Sequence, residues 1–95
     1  VRVCGDGGKK LVTAAVASGS CSEVIPTARA MDCDVIVTGD MKYHESIDAV
    51  NSGIAIIDAG HYPTEKLVTE IFKSIIEPLG IEVYVSKNPD IFRFV

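Results

Sequence analysis

Residues 54–65, IAIIDAGHYPTE, decide the fold of this chain. The stretch opens with apolar and mostly β-branched residues, the composition of a short strand buried on both faces. Ala59 and Gly60 interrupt the apolar run. A helical pattern follows with Pro63 in its first turn, where a missing N–H costs little. We therefore predict a buried strand that passes through a glycine loop into a helix.

His61 and Glu65 lie at the start of this helix, four residues apart. That spacing places two side chains on one helix face, with their Cβ atoms about 5–6 Å apart. An imidazole and a carboxylate that converge where a strand ends can form half of a metal site. The alternative is that Glu65 complements the positive N-terminus of the helix beside a loop histidine. Spacing alone favours the alternative, and the rest of the chain shifts the balance toward a metal site.

The composition of the 95-residue chain is that of one small globular domain, with 47% hydrophobic and 23% charged residues. The net charge of −4 and the scattered Lys and Arg residues argue against a nucleic-acid partner. Cys4, Cys21 and Cys33 lack CxxC spacing, so we do not expect a disulfide framework or a structural zinc site. We expect a cytoplasmic location instead. No apolar run reaches the roughly 18–20 residues of a membrane span. Because the chain starts at Val1, directly on a strand-like segment, we expect a piece of a longer polypeptide.

Two strand-like segments open the chain, at residues 1–5 and 11–18. Asp6 and Gly7 lie between them, and an Asp-Gly pair between two strand patterns is a hairpin signal. We therefore predict that the two segments pair as an antiparallel N-terminal hairpin.

The remaining elements are predicted from caps, breakers and periodicity. They are a helix from an N-cap at Ser22 to about Met31, a strand at 35–38, a helix over 41–51 capped by Asp40, the strand at 54–58, a long amphipathic helix ended by Pro78 and Gly80, and a fifth strand at 81–86. We expect the apolar terminal segment, residues 91–95, to cover a core edge or to fill a groove of a partner.

Three of these strands run into loops of similar shape, marked by Gly19, Gly39 and Gly60 at intervals of 20 and 21 residues. That interval is the length of a short βα unit, so the strands are expected to be parallel with their loops at one sheet edge. The predicted fold is a single α/β domain with a mixed, mostly parallel sheet flanked by helices. Open α/β sheets bind ligands at the carboxyl ends of their strands. The polar residues expected at this edge are Ser20, Ser22, Asp40, His44, His61 and Glu65.

Asp40 and His44 repeat the four-residue spacing of His61 and Glu65. Asp40 is equally well explained as a helix N-cap, and His44 as a surface residue near a helix start. The chain contains no HExxH and no G-x-S-x-G motif, which excludes a zincin site and the nucleophile of an α/β-hydrolase.

Residues 37–44, VTGDMKYH, and 58–65, DAGHYPTE, resemble the GTP cyclohydrolase I type 2 homologue family, also called the NGG-interacting-factor-like family. The GSCS loop at 19–22 resembles the GSGS loop of that family, with Cys21 in place of the second glycine. The FRF ending at 92–94 resembles its C-terminal ending. The resemblance covers essentially the whole chain and implies the C-terminal portion of a longer protein.

The resemblance also implies a dinuclear centre of divalent ions of the Zn, Fe, Mn or Ni class. His61 and Glu65 match two of its ligands, and the other ligands would come from the N-terminal portion of the same protein. Asp40 and His44 match a motif that lines the same cleft, where either can transfer a proton. The family assembles into toroidal hexamers, which implies a homo-oligomer.

The function that the resemblance implies is metal-dependent hydrolysis of nucleotide-like substrates, in which the metals activate a shared water. The alternative is a non-enzymatic metal-binding scaffold or metal-delivery protein whose C-terminal part drives assembly.

Overall fold

The computed structural model describes residues 1–93 and places the strand of the opening stretch inside a four-stranded sheet. The strands are β1 (Arg2–Cys4), β2 (Ala14–Val16), β3 (Val35–Thr38) and β4 (Ala55–Asp58). The helices are α1 (Ile25–Ala30), α2 (Tyr43–Asn51), α3 (His61–Glu65) and α4 (Leu67–Ile76), with 3₁₀ turns at Ser22–Val24 and Glu77–Leu79. Since α4 has only 10 residues, no helix within residues 1–93 is long enough to cross a bilayer.

The sheet order is β1-β4-β3-β2, with β2, β3 and β4 parallel and β1 antiparallel to β4. This arrangement confirms the predicted α/β class with a mixed, mostly parallel sheet flanked by helices. The parallel strands end together, so the loops that follow them lie at one sheet edge.

The predicted N-terminal hairpin is wrong, because β1 and β2 lie at opposite edges of the sheet. A local turn does form at Asp6, whose carbonyl accepts a hydrogen bond from the Lys9 N–H at 3.2 Å. The chain then crosses to the far edge. There the Asp34 carboxylate accepts the backbone N–H groups of Val12 and Thr13 at 2.9 and 3.0 Å. This contact, invisible in local sequence, directs β2 alongside β3.

Three other predicted elements differ from the structure. The helix from Ser22 begins as a 3₁₀ turn, and the Ser22 hydroxyl donates to Glu45 instead of capping. Helix α2 begins at Tyr43 with Lys42 as its N-cap, so Asp40 is not the cap. The fifth strand is also wrong: residues 81–86 pair with no strand of the described chain. A strand needs a neighbour for its backbone groups, and this segment reaches neither sheet edge.

The core lies on one face of the sheet, under α1 and α2. Ile36 and Ile56 are register partners in β3 and β4, so their side chains point to this face, and both are almost fully buried. Two packed clusters meet at Ile25, one formed with Ala28, Cys33, Ile36 and Ile54, the other with Met41, Ala49 and Ile56. The packing fixes the ends of β3 and β4, from which the polar loops emerge.

Candidate metal centre

The three glycine loops meet at the carboxyl edge of the sheet, as the intervals of 20 and 21 residues between their glycines predict. The carbonyl of Gly19 accepts hydrogen bonds from the Gly39 N–H at 2.8 Å and from the buried Thr38 hydroxyl at 2.9 Å. The Gly19 N–H donates in turn to the hydroxyl of Thr64 in α3 at 2.9 Å. The loops after β2, β3 and β4 are therefore joined directly to one another.

The loops after β3 and β4 touch through their backbones. A Cβ atom built on Gly39 would lie 2.5 Å from the Gly60 carbonyl carbon and 2.7 Å from the His61 nitrogen. Such distances are far below van der Waals contact, so only glycine fits at position 39. This close approach places His61 directly beside the loop that carries Asp40.

His61 lies between two carboxylates. Its Nδ1 is 3.2 Å from Oδ2 of Asp40, and its Nε2 is 3.1 Å from Oε1 of Glu65. All three side chains are exposed, with His61 45% accessible, so the group opens to solvent. A neutral imidazole has one N–H and one lone pair. If Nδ1–H donates to Asp40, the Nε2 lone pair lies beside a negatively charged Glu65 oxygen at 3.1 Å, which is an arrangement that attracts a cation.

The two donor atoms fit a shared divalent ion. Metal–nitrogen and metal–oxygen bonds of about 2.0–2.2 Å place neighbouring ligand atoms roughly 3 Å apart, and Nε2 and Oε1 are 3.1 Å apart. Gly19 keeps this side of the pair open, since a Cβ there would lie 2.5 Å from Oε1 and 3.3 Å from Nε2. Asp40 contacts the other ring nitrogen, and no group of three or more His, Cys, Asp or Glu residues in the described chain could hold an ion. The pair alone therefore does not make a complete metal site.

Asp58 organises the two loops, and the sequence analysis missed it. Its side chain is buried, and its Oδ1 accepts the N–H groups of Asp40 at 3.1 Å and Gly60 at 3.0 Å. Its Oδ2 accepts from the Met41 N–H at 3.1 Å and from the Arg2 guanidinium. Burial raises the pKa of Asp58, but the hydrogen bonds from Gly60, Arg2 and Met41 outweigh it and hold the pKa below its ordinary value. Alternation along β4 puts Asp58 on the buried face of Ile56, which is a local signal for the buried carboxylate but not for its partners.

Among residues 1–93, the other polar residues predicted at this sheet edge make no hydrogen bond with His61 or Glu65. The Ser20 hydroxyl is 3.4 Å from the Asp40 carbonyl, and Ser22 donates to Glu45 at 3.0 Å. Glu45 also accepts from the Lys42 N–H and so closes the start of α2, a role that the sequence analysis missed. His44 is exposed in the first turn of α2, and no hydrogen bond or ion pair joins it to Asp40, His61 or Glu65.

Comparison with protein families gives a match over residues 1–90 to the family described as Duf34/NIF3 (NGG1p interacting factor 3). The chain belongs to the Duf34/NIF3 family. A relative from Clostridium acetobutylicum named GTP cyclohydrolase 1 type 2 homolog is 36% identical over 94 residues, which cover 93% of this chain and 35% of that protein. A relative of the same name from Campylobacter jejuni is 32% identical over 91 residues, covering 94% of this chain and 36% of the relative.

Solved structures of Duf34/NIF3 relatives share the fold. A Staphylococcus aureus protein superposes with a TM-score of 0.85 at 33% identity, over 99% of this chain and 33% of its own. A Bacillus cereus protein described as related to NIF3 superposes with a TM-score of 0.78 at 31% identity, over 99% of this chain and 28% of its own. The chain thus spans about a third of the length of the relatives it matches.

Proposed function

We propose that this Duf34/NIF3 chain supplies His61 and Glu65 as two ligands of a dinuclear metal centre that hydrolyses nucleotide-like substrates. The observation that carries the proposal is the 3.1 Å separation of Nε2 and Oε1 at the open edge of the sheet, with Asp40 on the opposite ring nitrogen. The remaining ligands come from the N-terminal portion of the longer polypeptide, and the whole protein acts as a homo-oligomer.

The donor set suits divalent ions of the Zn, Fe, Mn or Ni class, since imidazole and carboxylate are common ligands of all four. When bound, the ions supply an activated water at neutral pH and polarise the group that it attacks. Asp40 lies 3.2 Å from Nδ1 of His61. A hydrogen bond from Nδ1–H to Asp40 fixes the ring orientation and leaves the lone pair on Nε2, beside Glu65.

His44 and Asp40 take different parts in this proposal. Asp40 is engaged with His61, so orienting the ligand is its main task. His44 has an exposed imidazole without a partner among Asp40, His61 and Glu65, so it can hold and release a proton on the substrate side. We place the protein in the cytoplasm, in agreement with its three free cysteines.

The second candidate function is a metal-binding scaffold or metal-delivery protein. One observation favours it: two pockets of the described chain both lie away from His61 and Glu65. The apolar pocket between β1 and α2, lined by Met41 and Ile56, does not include His61 or Glu65. Neither does the polar pocket around Asp34.

The test of the ligand assignment is Glu65→Gln in the full-length protein, with metal content measured by elemental analysis. Loss of the carboxylate charge should lower metal content, while the melting temperature of the metal-free protein barely moves, because Glu65 is exposed. Glu70→Gln makes the same chemical change on exposed α4 and should leave metal content unchanged. Full occupancy in Glu65→Gln removes Glu65 from the ligand set.

Turnover distinguishes the two functions. Hydrolysis of GTP or another nucleotide that is lost with a chelator and restored by one metal supports the enzyme. Tight stoichiometric metal without turnover supports the scaffold. His44→Ala should reduce any such activity more than it reduces metal content, and metal lost in proportion would instead make His44 a ligand.

A further inference from the structure

We propose that Asp58 is the positioning residue of the site: its buried carboxylate sets the position of Asp40 relative to His61. The inference rests on the proposed function, because the geometry that Asp58 maintains is that of the proposed metal ligand. Asp58 contacts neither Nε2 of His61 nor Glu65, so its effect passes through the two loop backbones.

A single oxygen of Asp58 joins the two loops. Oδ1 accepts from the N–H of Asp40 and from the N–H of Gly60, the residue that precedes His61. The 3.2 Å contact between Asp40 and His61 spans the same two loops. A shift of either loop relative to Asp58 therefore changes the contact that orients the imidazole.

The Asp40 loop adopts a backbone conformation that requires support, whereas Gly60 adopts its own without a steric cost. Asp40 has φ of 51° and Gly60 has φ of 88°, both in the left-handed region. A non-glycine residue in this region costs about 1–2 kcal/mol, although Asp tolerates it better than most residues. The hydrogen bonds from Asp40 and Met41 to Asp58 offset that cost and hold the turn in one conformation.

Arg2 stabilises the ionised form of the Asp58 carboxylate. It is the cross-strand partner of Asp58 in the β1–β4 pair, and its guanidinium contacts both Oδ2 of Asp58 and the Met41 carbonyl. A buried carboxylate without an opposite charge is strongly unfavourable, so β1 stabilises the ionised form that accepts four hydrogen bonds. The antiparallel strand thereby has a direct part in building the site.

The test uses Asp58→Asn in the full-length protein, with Co²⁺ as the probe. The amide keeps the size of the side chain but turns one acceptor into a donor facing Met41 and Arg2. Asp34→Asn is the matched control, since Asp34 also accepts two backbone N–H groups and pairs with a base, Lys9, at the other end of the sheet. Two readouts are measured: the visible absorption of bound Co²⁺ and amide hydrogen exchange of the metal-free protein.

We expect Asp58→Asn to weaken Co²⁺ binding by about 10–100-fold and to speed amide exchange at residues 39–42 and 60–62. Asp34→Asn should leave the Co²⁺ spectrum and affinity unchanged and speed exchange only at residues 11–14. Equal Co²⁺ affinity in wild type and Asp58→Asn overturns the proposal, and so does an equal loss in both variants.

Arg2→Gln provides a second variant if Asp58→Asn does not fold. It removes the charged donor and leaves the three backbone donors of Asp58 in place, so the same changes should appear at smaller amplitude. Unchanged exchange and affinity in Arg2→Gln would then overturn the proposal. If wild type itself fails to bind Co²⁺, the proposed function fails, whereas the exchange measurement still decides whether Asp58 positions the loops.

Discussion

At the scale of single residues, Gly39 carries the sharpest constraint, because the Gly60 carbonyl and the His61 nitrogen occupy the space of a Cβ. Gly39→Ala must push the two loops apart. We expect the free energy of unfolding to fall by about 1–3 kcal/mol, the usual cost of overpacking, together with a loss of metal affinity. Gly7→Ala is the matched control, since a Cβ on Gly7 meets nothing within 4 Å. Denaturant unfolding of the metal-free protein measures the difference, and equal stability of the two variants would contradict the close approach.

Gly19 tests the same edge from the other side. An alanine methyl there would contact Glu65 Oε1 and His61 Nε2 directly, and the φ of 70° adds backbone strain. We expect Gly19→Ala to reduce metal content more strongly than it reduces the stability of the metal-free protein. Metal content equal to that of wild type, measured by elemental analysis, would show that the ion does not lie on this side of the pair.

Residue spacing predicted part of this site and could not predict the rest. The i, i+4 relation of His61 and Glu65 follows from helix geometry, and the shared edge of the loops follows from the regular spacing of the βα units. The sequence explains Asp40 equally well as a helix N-cap and as a residue of the site, because local sequence does not reveal a left-handed turn. The buried Asp58 carboxylate depends on a contact with Arg2, 56 positions away, and local sequence gives no signal for such a long-range pair.

At the scale of elements, the N-terminal segment shows what decides the path of a strand. Turn chemistry at Asp6 and Gly7 predicted a hairpin, and the turn does form. The strand after it is placed by Asp34, which holds Val12 and Thr13 beside β3. The strands β3 and β4 were predicted well because both are short apolar runs that lie in the sheet centre. The edge strands depend on partners that only the fold reveals.

The Asp34 contact predicts a specific dependence of stability on pH. Hydrogen bonds from Val12 and Thr13, followed by Lys9, lower the pKa of Asp34 to about 2 from an ordinary 3.8. A lowered pKa stabilises the fold above the ordinary value, and the contribution is lost as pH falls from about 4 through 2. We expect Asp34→Asn to flatten the decline in stability between pH 4 and pH 2, measured by denaturant unfolding. Asp48→Asn, which changes an exposed carboxylate of α2, should decline as wild type does.

At the scale of the whole molecule, two apolar surfaces are incompletely covered within the described residues. One is the sheet face opposite α1 and α2, where the register aligns a row across all four strands: Val16, Val37, Ile57 and Val3. Val16 and Val3, at its ends, are 77% and 62% exposed. Parallel sheets are normally covered on both faces, so this face belongs against another layer.

The second surface is the apolar stripe of α4, which consists of Leu67, Val68, Ile71, Phe72 and Ile75. Each of these side chains is between 44% and 60% exposed, and no residue of α4 is buried. The radius of gyration, 16.0 Å, exceeds the value of about 12 Å for a compact domain of this length. The periodicity that predicted this amphipathic helix identified its apolar face correctly, but nothing among residues 1–93 buries that face.

The chain spans about a third of the length of its relatives. We infer that the rest of the full-length polypeptide packs on the α4 stripe, and that a second copy replaces it when the chain is isolated. The apolar segment at 91–95 was expected to contribute. Its Ile91 and Phe92 are exposed, and its last two residues lie outside the described part of the chain.

The isolated chain should therefore associate at high micromolar concentration, as measured by sedimentation velocity. Ile71→Glu places a charge in the middle of the α4 stripe and should shift the isolated chain toward monomer, because burying an unpaired carboxylate is costly. Ser74→Glu adds the same charge at an exposed polar position of α4 and should leave association unchanged. In the full-length protein, Ile71→Glu should lower the melting temperature by several degrees more than Ser74→Glu, since the stripe is then buried within one polypeptide. A monomeric wild-type chain, combined with equal melting temperatures of the two full-length variants, would show that α4 faces solvent in the whole protein as it does in residues 1–93.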